Sequence, residues 1–173
     1  MVLLYKSYMI IQYKDLQDIR KRFEKKKIVF CSGSFDLLHA GHVLFFEDCK
    51  KFGDIVIVAV GDDSILRIKG PDRPILNQSI RMKMVDSIKA VDYCFIHKNT
   101  KGLFLNSFME EILSLLHPDI WVVNKDATEI PFRRDLAKEH GVIFHVLERE
   151  CPPEFENIST SNIIKKIKSS TSS

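Results

Sequence analysis

Apolar positions along this chain alternate between two rhythms. Leu16, Ile19 and Phe23 recur at helical spacing, which predicts an amphipathic helix over 15–27. Ile28-Val29-Phe30-Cys31 follows as an unbroken apolar run, the mark of a strand buried on both faces, and Gly33 interrupts it. A helix is expected from Gly41 to Phe52, with Gly53 closing it. Ile55 to Val60 is a second apolar strand, and the polar stretch 61–77, with Gly70, Pro71 and Pro74, is predicted to be a loop. Ile80, Met84 and Ile88 share one face of a helix over 79–89. Val91 to Ile96, Ile120 to Val123 and Val142 to Leu147 are further strands. They alternate with helices over 108–116, stopped by Pro118, over 132–140, closed by Gly141, and over 161–168.

Apolar strands alternating with amphipathic helices predict a single Rossmann-like α/β domain with a doubly wound parallel sheet. Such sheets bind ligands beyond the carboxyl ends of their strands, near a topological switch point. Chemistry is therefore expected in the loops after the first, second and fourth strands. Residues 1–27 form an extension and helix, 28–168 the domain, and the serine-rich end 169–173 is expected to be disordered.

Bulk properties narrow the function classes. The chain has 173 residues, 45% of them hydrophobic, which suffices for a real core. A net charge of +3 fits a binder of small anions and falls short of the clustered basic face that nucleic acids require. Lys25, Lys26 and Lys27 fit the solvated end of a helix. Cys31, Cys49, Cys94 and Cys151 form no Cys-x-x-Cys pair, so neither a zinc ribbon nor a redox motif is indicated, and isolated thiols fit a reducing compartment. No stretch reaches the ~18 apolar residues of a membrane span. Met1 to Tyr13 is interrupted by Lys6, Ser7 and Gln12 and has no cleavage pattern, so a cytoplasmic protein is expected. Val2, Leu3, Leu4, Tyr8, Met9, Ile10 and Ile11 exceed what a small domain usually exposes and point to a homodimer interface, or to docking on the same domain.

The chemistry-bearing segment is Ser32-Gly33-Ser34-Phe35-Asp36-Leu37-Leu38-His39-Ala40-Gly41-His42. Gly33 lets the backbone approach a ligand, and the two histidines stand at the predicted start of a helix, where free N–H groups and partial positive charge favour phosphate. Two imidazoles there can donate to phosphate oxygens. Alternatively, His39 caps the helix and His42 packs in the core. A metal site lacks a completing set of carboxylates or cysteines.

Gly33 to His42 resembles the signature of the cytidylyltransferase-like nucleotidyltransferases, with their HxGH element. The resemblance extends over roughly Lys27 to Ile167. Gly53-Asp54, Asp62-Asp63, Lys69-Gly70-Pro71, Arg81 with Val91-Asp92, and Ile158-Ser159-Thr160-Ser161 fall in the family's order. It implies attack by an acceptor phosphate oxygen on the α-phosphorus of a nucleoside triphosphate, releasing pyrophosphate, with Mg²⁺ held chiefly by the phosphates. It implies catalytic roles for His39, His42 and Lys69. Nucleotide binding is implied for Ser32, Gly33, Ser34, Gly41, Asp126, Ser159, Thr160 and Ser161, and acceptor binding for Asp36 and Arg81. Read by themselves, Lys69 and Arg81 are surface cations, and Ser159 to Ser161 a helix cap, which is compatible with phosphate binding.

Within the family, Lys27-Ile28-Val29-Phe30, His39-Ala40-Gly41-His42-Val43, Arg73-Pro74-Ile75 and Arg81-Met82 are similar to the adenylyltransferase domain of bacterial heptose-phosphate enzymes. Lys69-Gly70-Pro71 and Met84-Val85 are similar to the glycerol- and ethanolamine-phosphate cytidylyltransferases. The cytidylyltransferases carry Arg-Thr where this chain has Glu154-Phe155-Glu156-Asn157, which favours ATP over CTP. The heptose enzymes carry Gly-Gly-Asp where it has Asn124-Lys125-Asp126, so the acceptor is expected only at the level of a phosphorylated sugar. A CTP-dependent enzyme for an alcohol phosphate and a non-catalytic nucleotide-binding protein are the alternatives.

Overall fold

The five apolar runs pair as one parallel sheet. The computed structural model describes residues 10–97, 107–148, 152, 153, 155 and 158–170. Strands β1 (Ile28–Gly33), β2 (Ile55–Gly61), β3 (Tyr93–His97), β4 (Ile120–Asn124) and β5 (Ile143–Leu147) lie in the order β3-β2-β1-β4-β5. The chain leaves β1 in one direction and returns to its other side at β4, so the fold is doubly wound and the switch point is the carboxyl end of β1.

Period-two alternation along the strands divides the core between two faces. Phe30, Ile57, Phe95 and Trp121 point to one face. They meet Leu16 and Ile19 of α1 (Leu16–Arg22), Ile112 and Leu113 of α5 (Ser107–Leu116) and Leu136 of α6 (Ile130–Glu139). Val29, Cys31, Val58 and Val122 point to the other, against Phe45, Phe46 and Cys49 of α2 (Ala40–Lys50) and Val85 of α4 (Gln78–Asp86).

Several expected boundaries move for identifiable reasons. Helix α1 ends at Arg22 rather than Lys27. Phe23 leaves helical geometry, and the Arg20 guanidinium donates to the carbonyls of Phe23, Glu24, Lys26 and His117 and to Asp119, fixing a loop where a further turn was expected. Gly53 is not the helix's left-handed cap. A Cβ there would stand 2.7 Å from the Lys27 carbonyl oxygen and 2.7 Å from Val29 Cγ2, so glycine is needed for close approach. The polar stretch 61–77 contains helix α3 (Asp63–Arg67). Asp62 caps it by accepting from the Ile65 N–H, and Ile65 and Leu66 are buried. Helix α7 (Thr160–Ser170) runs into the expected disordered end, because the Ser169 and Ser170 hydroxyls donate to the Lys166 carbonyl. Ile10 bridges to Cys94 beside β3, and Ile11 donates its N–H to the Cys94 carbonyl, so this end of the N-terminal segment docks on its own domain. The rest of the apolar stretch expected to drive dimerisation, Val2 to Met9, lies outside the described residues, as do Glu154, Glu156 and Asn157.

Candidate functional site

The site is built on the loop that leaves β1. Phe35 takes φ 48° and folds its ring back over Gly33, where a Cβ would lie 2.7 Å from Phe35 Cζ. That turn buries Asp36, which is 2% exposed. Asp36 Oδ2 accepts from Arg73 at 2.7 Å, and Oδ1 accepts from the N–H groups of Ile75 and Leu76 at 2.8 and 3.1 Å. Both oxygens therefore serve to pin the segment between α3 and α4 over the end of β1.

His39 is the extended residue that enters α2, and its side chain makes no capping hydrogen bond. Its ring stacks on that of His42, with centroids 3.9 Å apart, and Phe35 meets His42 edge-on at 5.3 Å. The glycine between the histidines makes room: a Cβ at Gly41 would lie 3.0 Å from both Cε1 and Nδ1 of His39. Burial pushes the His42 pKa down to about 4, helped by His39, and burial also lowers that of His39. Both rings are thus neutral near pH 7, each with one N–H to donate, and their Nδ1 atoms have no partner among the described residues.

The cleft continues past this pair as a cavity of about 710 Å³. It gathers Ser32, Gly33, Ser34, Asp36, His39, Gly41, His42, Lys69, Asp126, Ser159, Thr160 and Ser161, residues scattered over 130 positions of sequence. Lys69 Nζ donates to Ser34 Oγ at 2.8 Å. Loss of solvent in the cleft lowers the Lys69 pKa, as do Arg73 and Arg133, against the opposing pull of Asp36 and Asp126. Ser159 accepts from the Asn162 N–H at the start of α7, Thr160 donates to the Leu37 carbonyl, and Ser161 Oγ accepts from Arg73 at 3.2 Å.

Arg81 does not belong to this cleft. It is fully buried, and its guanidinium donates to the carbonyls of Leu76 and Ser34 and to Asp63 Oδ1. An arginine so placed holds α4 and α3 against the end of β1 and offers no exposed donor to an acceptor. The expectation of acceptor binding by Arg81 is therefore corrected to a positioning role. The cleft's arginines are Arg73 and Arg133, neither of which the residue pattern assigned to the site. Arg73 stood in a quoted Arg-Pro-Ile stretch, and Arg133 carried no local signal, since Phe132-Arg133-Arg134 looks like any solvated helix turn. His97, at the end of β3, also lines the cleft. It stacks on Phe108 at 4.1 Å, and burial takes its pKa down to about 4.

Among the described residues, no group of three or more His, Cys, Asp or Glu side chains is placed to hold a metal ion, and no helix is long and apolar enough to cross a membrane.

Comparison with known proteins bears on this site. A family model described as cytidylyltransferase-like matches residues 30–166. The bifunctional protein HldE of Pseudomonas putida strain GB-1 is 38% identical over 149 residues, 85% of this chain and 29% of that protein. HldE of Helicobacter pylori is 33% identical over 154 residues, 88% of this chain and 30% of that protein. The chain thus spans under a third of the length of these curated relatives. Among solved structures, a lipopolysaccharide core biosynthesis protein from Thermoplasma volcanium superposes with a TM-score of 0.60 at 24% identity, over 73% of this chain and 99% of that one. Pantoate-beta-alanine ligase from Francisella tularensis superposes with a TM-score of 0.65 at 18% identity, over 94% of this chain and 77% of that one. At these identities the two structures speak for the fold alone.

Proposed function

The chain belongs to the cytidylyltransferase-like family, and from that premise we propose that it is a nucleotidyltransferase that moves the nucleoside monophosphate of ATP onto a phosphorylated sugar and releases pyrophosphate. The observation that carries the proposal is the stacked, neutral His39–His42 pair beside Lys69 at the carboxyl edge of β1. In such a transfer the acceptor's phosphate oxygen forms the new bond to the α-phosphorus as the bond to the pyrophosphate oxygen breaks. No protein nucleophile is needed. The protein positions the reactants and balances charge. His39 and His42 donate to the triphosphate, Lys69 neutralises charge that builds in the transition state, and Ser159 to Ser161 present the start of α7 to phosphate oxygens. Arg73, held between Asp36 and Ser161 in the cleft, supplies a counter-charge for the departing pyrophosphate.

Mg²⁺ fits this cleft as a passenger of the nucleotide. Asp36 is occupied by Arg73 and two N–H groups, so the metal's donors would be the phosphates' own oxygens, with Asp126 the cleft carboxylate left to face it. Bound there, it would neutralise phosphate charge. ATP and a sugar phosphate are favoured by the similarity to HldE proteins and by the absence of an arginine in 154–157.

A pyrophosphate-release assay with ATP and CTP against a panel of sugar and alcohol phosphates tests the proposal. Release with ATP and a sugar phosphate is expected. Preference for CTP and glycerol 3-phosphate would reassign the substrates, and binding without release from any pair would make the protein a nucleotide-binding regulator. A cytoplasmic location is proposed from the buried, unbridged thiols of Cys31 and Cys49. A homodimer is proposed from the apolar residues Val2 to Met9, and light scattering showing a monomer at micromolar concentration would end that idea.

A further inference from the structure

The cleft crosses the edge of the sheet, and its two ends differ. The histidine end stands over the face packed by α2, where Phe45 and Phe46 lie. The far end stands over the opposite face, where Trp121 and Phe108 lie. At that far end is Arg133, only 9% exposed. Its guanidinium lies 5.7 Å over the Trp121 ring. No carboxylate among the described residues pairs with it: Glu129 attracts it from a distance without forming an ion pair. A cation nine-tenths buried without a counter-ion is destabilising, and proteins keep such groups mainly where a ligand supplies the missing charge. Arg133 nonetheless lines the open cleft and acts electrostatically on Lys69, as Arg73 does.

In-line transfer requires the attacking and leaving oxygens on opposite sides of the α-phosphorus. If the histidines, Arg73 and the start of α7 take the triphosphate, the acceptor's phosphate must approach from the other end of the cleft. We propose that Arg133 is the acceptor's phosphate anchor. It receives the sugar's monophosphate with Lys69 at the end of the cleft bounded by Phe108 and His97, while the nucleotide occupies the histidine end. The assignment of ends rests on the transferase function proposed above; the unpaired charge of Arg133 does not. An arginine suits the task because its planar fork grips two phosphate oxygens and aims a third at the reaction centre. His97, whose buried Nδ1 has no partner among the described residues, is a second unsatisfied polar group at the same end.

The test uses the full chain loaded with Mg²⁺ and α,β-methylene-ATP, which cannot be cleaved between the α- and β-phosphates. Glucose 1-phosphate, mannose 1-phosphate and inorganic phosphate are titrated calorimetrically into wild type, Arg133→Gln and Arg133→Lys, and the nucleotide analogue is titrated separately. Arg133→Gln is expected to weaken each phosphate probe at least tenfold and to leave the analogue within twofold. Arg133→Lys should recover part of the loss. The thermal midpoint of ligand-free Arg133→Gln should rise, because a desolvated cation is removed. Three results would overturn the proposal: equal weakening of nucleotide and phosphate probes, unchanged affinity for both, or an early-melting Arg133→Gln with normal affinities. Wild type that binds the probes through Arg133 yet releases no pyrophosphate from ATP or CTP with any sugar or alcohol phosphate would leave the anion site standing and sink the transferase function instead.

Discussion

The two flanks of the cleft, both proposed to hold phosphate, are built by opposite means. One is contiguous in sequence: Gly33 to His42 folds into a single turn whose neutral rings stack over the start of a helix. The other is assembled from Lys69, His97 and Arg133, which come from a loop, a strand end and a helix, and its two cations, Lys69 and Arg133, stand beside a neutral histidine. The contiguous flank owes its shape to local sterics, chiefly the contacts that forbid a Cβ at Gly33 and crowd one at Gly41. The dispersed flank owes its shape to the sheet order. A histidine pair of depressed pKa is uncharged near pH 7, so it adds little repulsion to a cleft already holding Lys69, Arg73 and Arg133. The difference teaches that one cleft can combine neutral hydrogen-bond donors fixed by a local turn with cations brought in from distant elements.

The sharpest way to break this comparison is His42→Ala. Loss of a donor aimed at developing charge lowers kcat by about 10²–10³, roughly 3–4 kcal/mol, with little change in Tm. His39→Ala should behave alike, and the double variant should lose less than the sum. An early-melting His42→Ala that keeps normal kcat per folded molecule would return His42 to the core.

Asp36→Ala is expected to act on stability, because Asp36 ties the turn after β1 to the segment between α3 and α4. It strands Arg73 and leaves the Ile75 and Leu76 N–H groups without their acceptor. The loss is about 3 kcal/mol, a fall of roughly 6–12 °C in Tm for a domain of this size. A Tm within 2 °C of wild type would show that the 70s segment is held by something else.

The smallest effect is the pH dependence. His42 and His97 each have a folded pKa of about 4 against 6.5 when unfolded. Between those values the unfolded chain binds more protons, so stability is complete above about pH 6.5 and is lost as pH falls toward 4. His42→Gln and His97→Phe should each flatten the curve of Tm against pH, on separate flanks and therefore additively. A curve as steep in the double variant as in wild type would assign the acid sensitivity elsewhere.

The sheet, its doubly wound class and the place of the motif were legible because strands buried on both faces must be apolar throughout, and five such runs stand between helical ones. Helix α3 was missed because it is a single short stretch whose signal, Asp62 three residues before Ile65, is hidden among polar neighbours. His39, Gly41 and His42 were legible because their geometry is decided within four residues. Arg81 and Arg133 could not be sorted by sequence. Each sits in a helix with ordinary neighbours, and burial alone makes one a structural brace and the other an unpaired cation in the cleft. Their difference depends on which strand end each helix faces. That is set by β1 passing between β2 and β4, which pairs Ile28 with Ile55 and Val29 with Ile120, and no local pattern encodes these contacts.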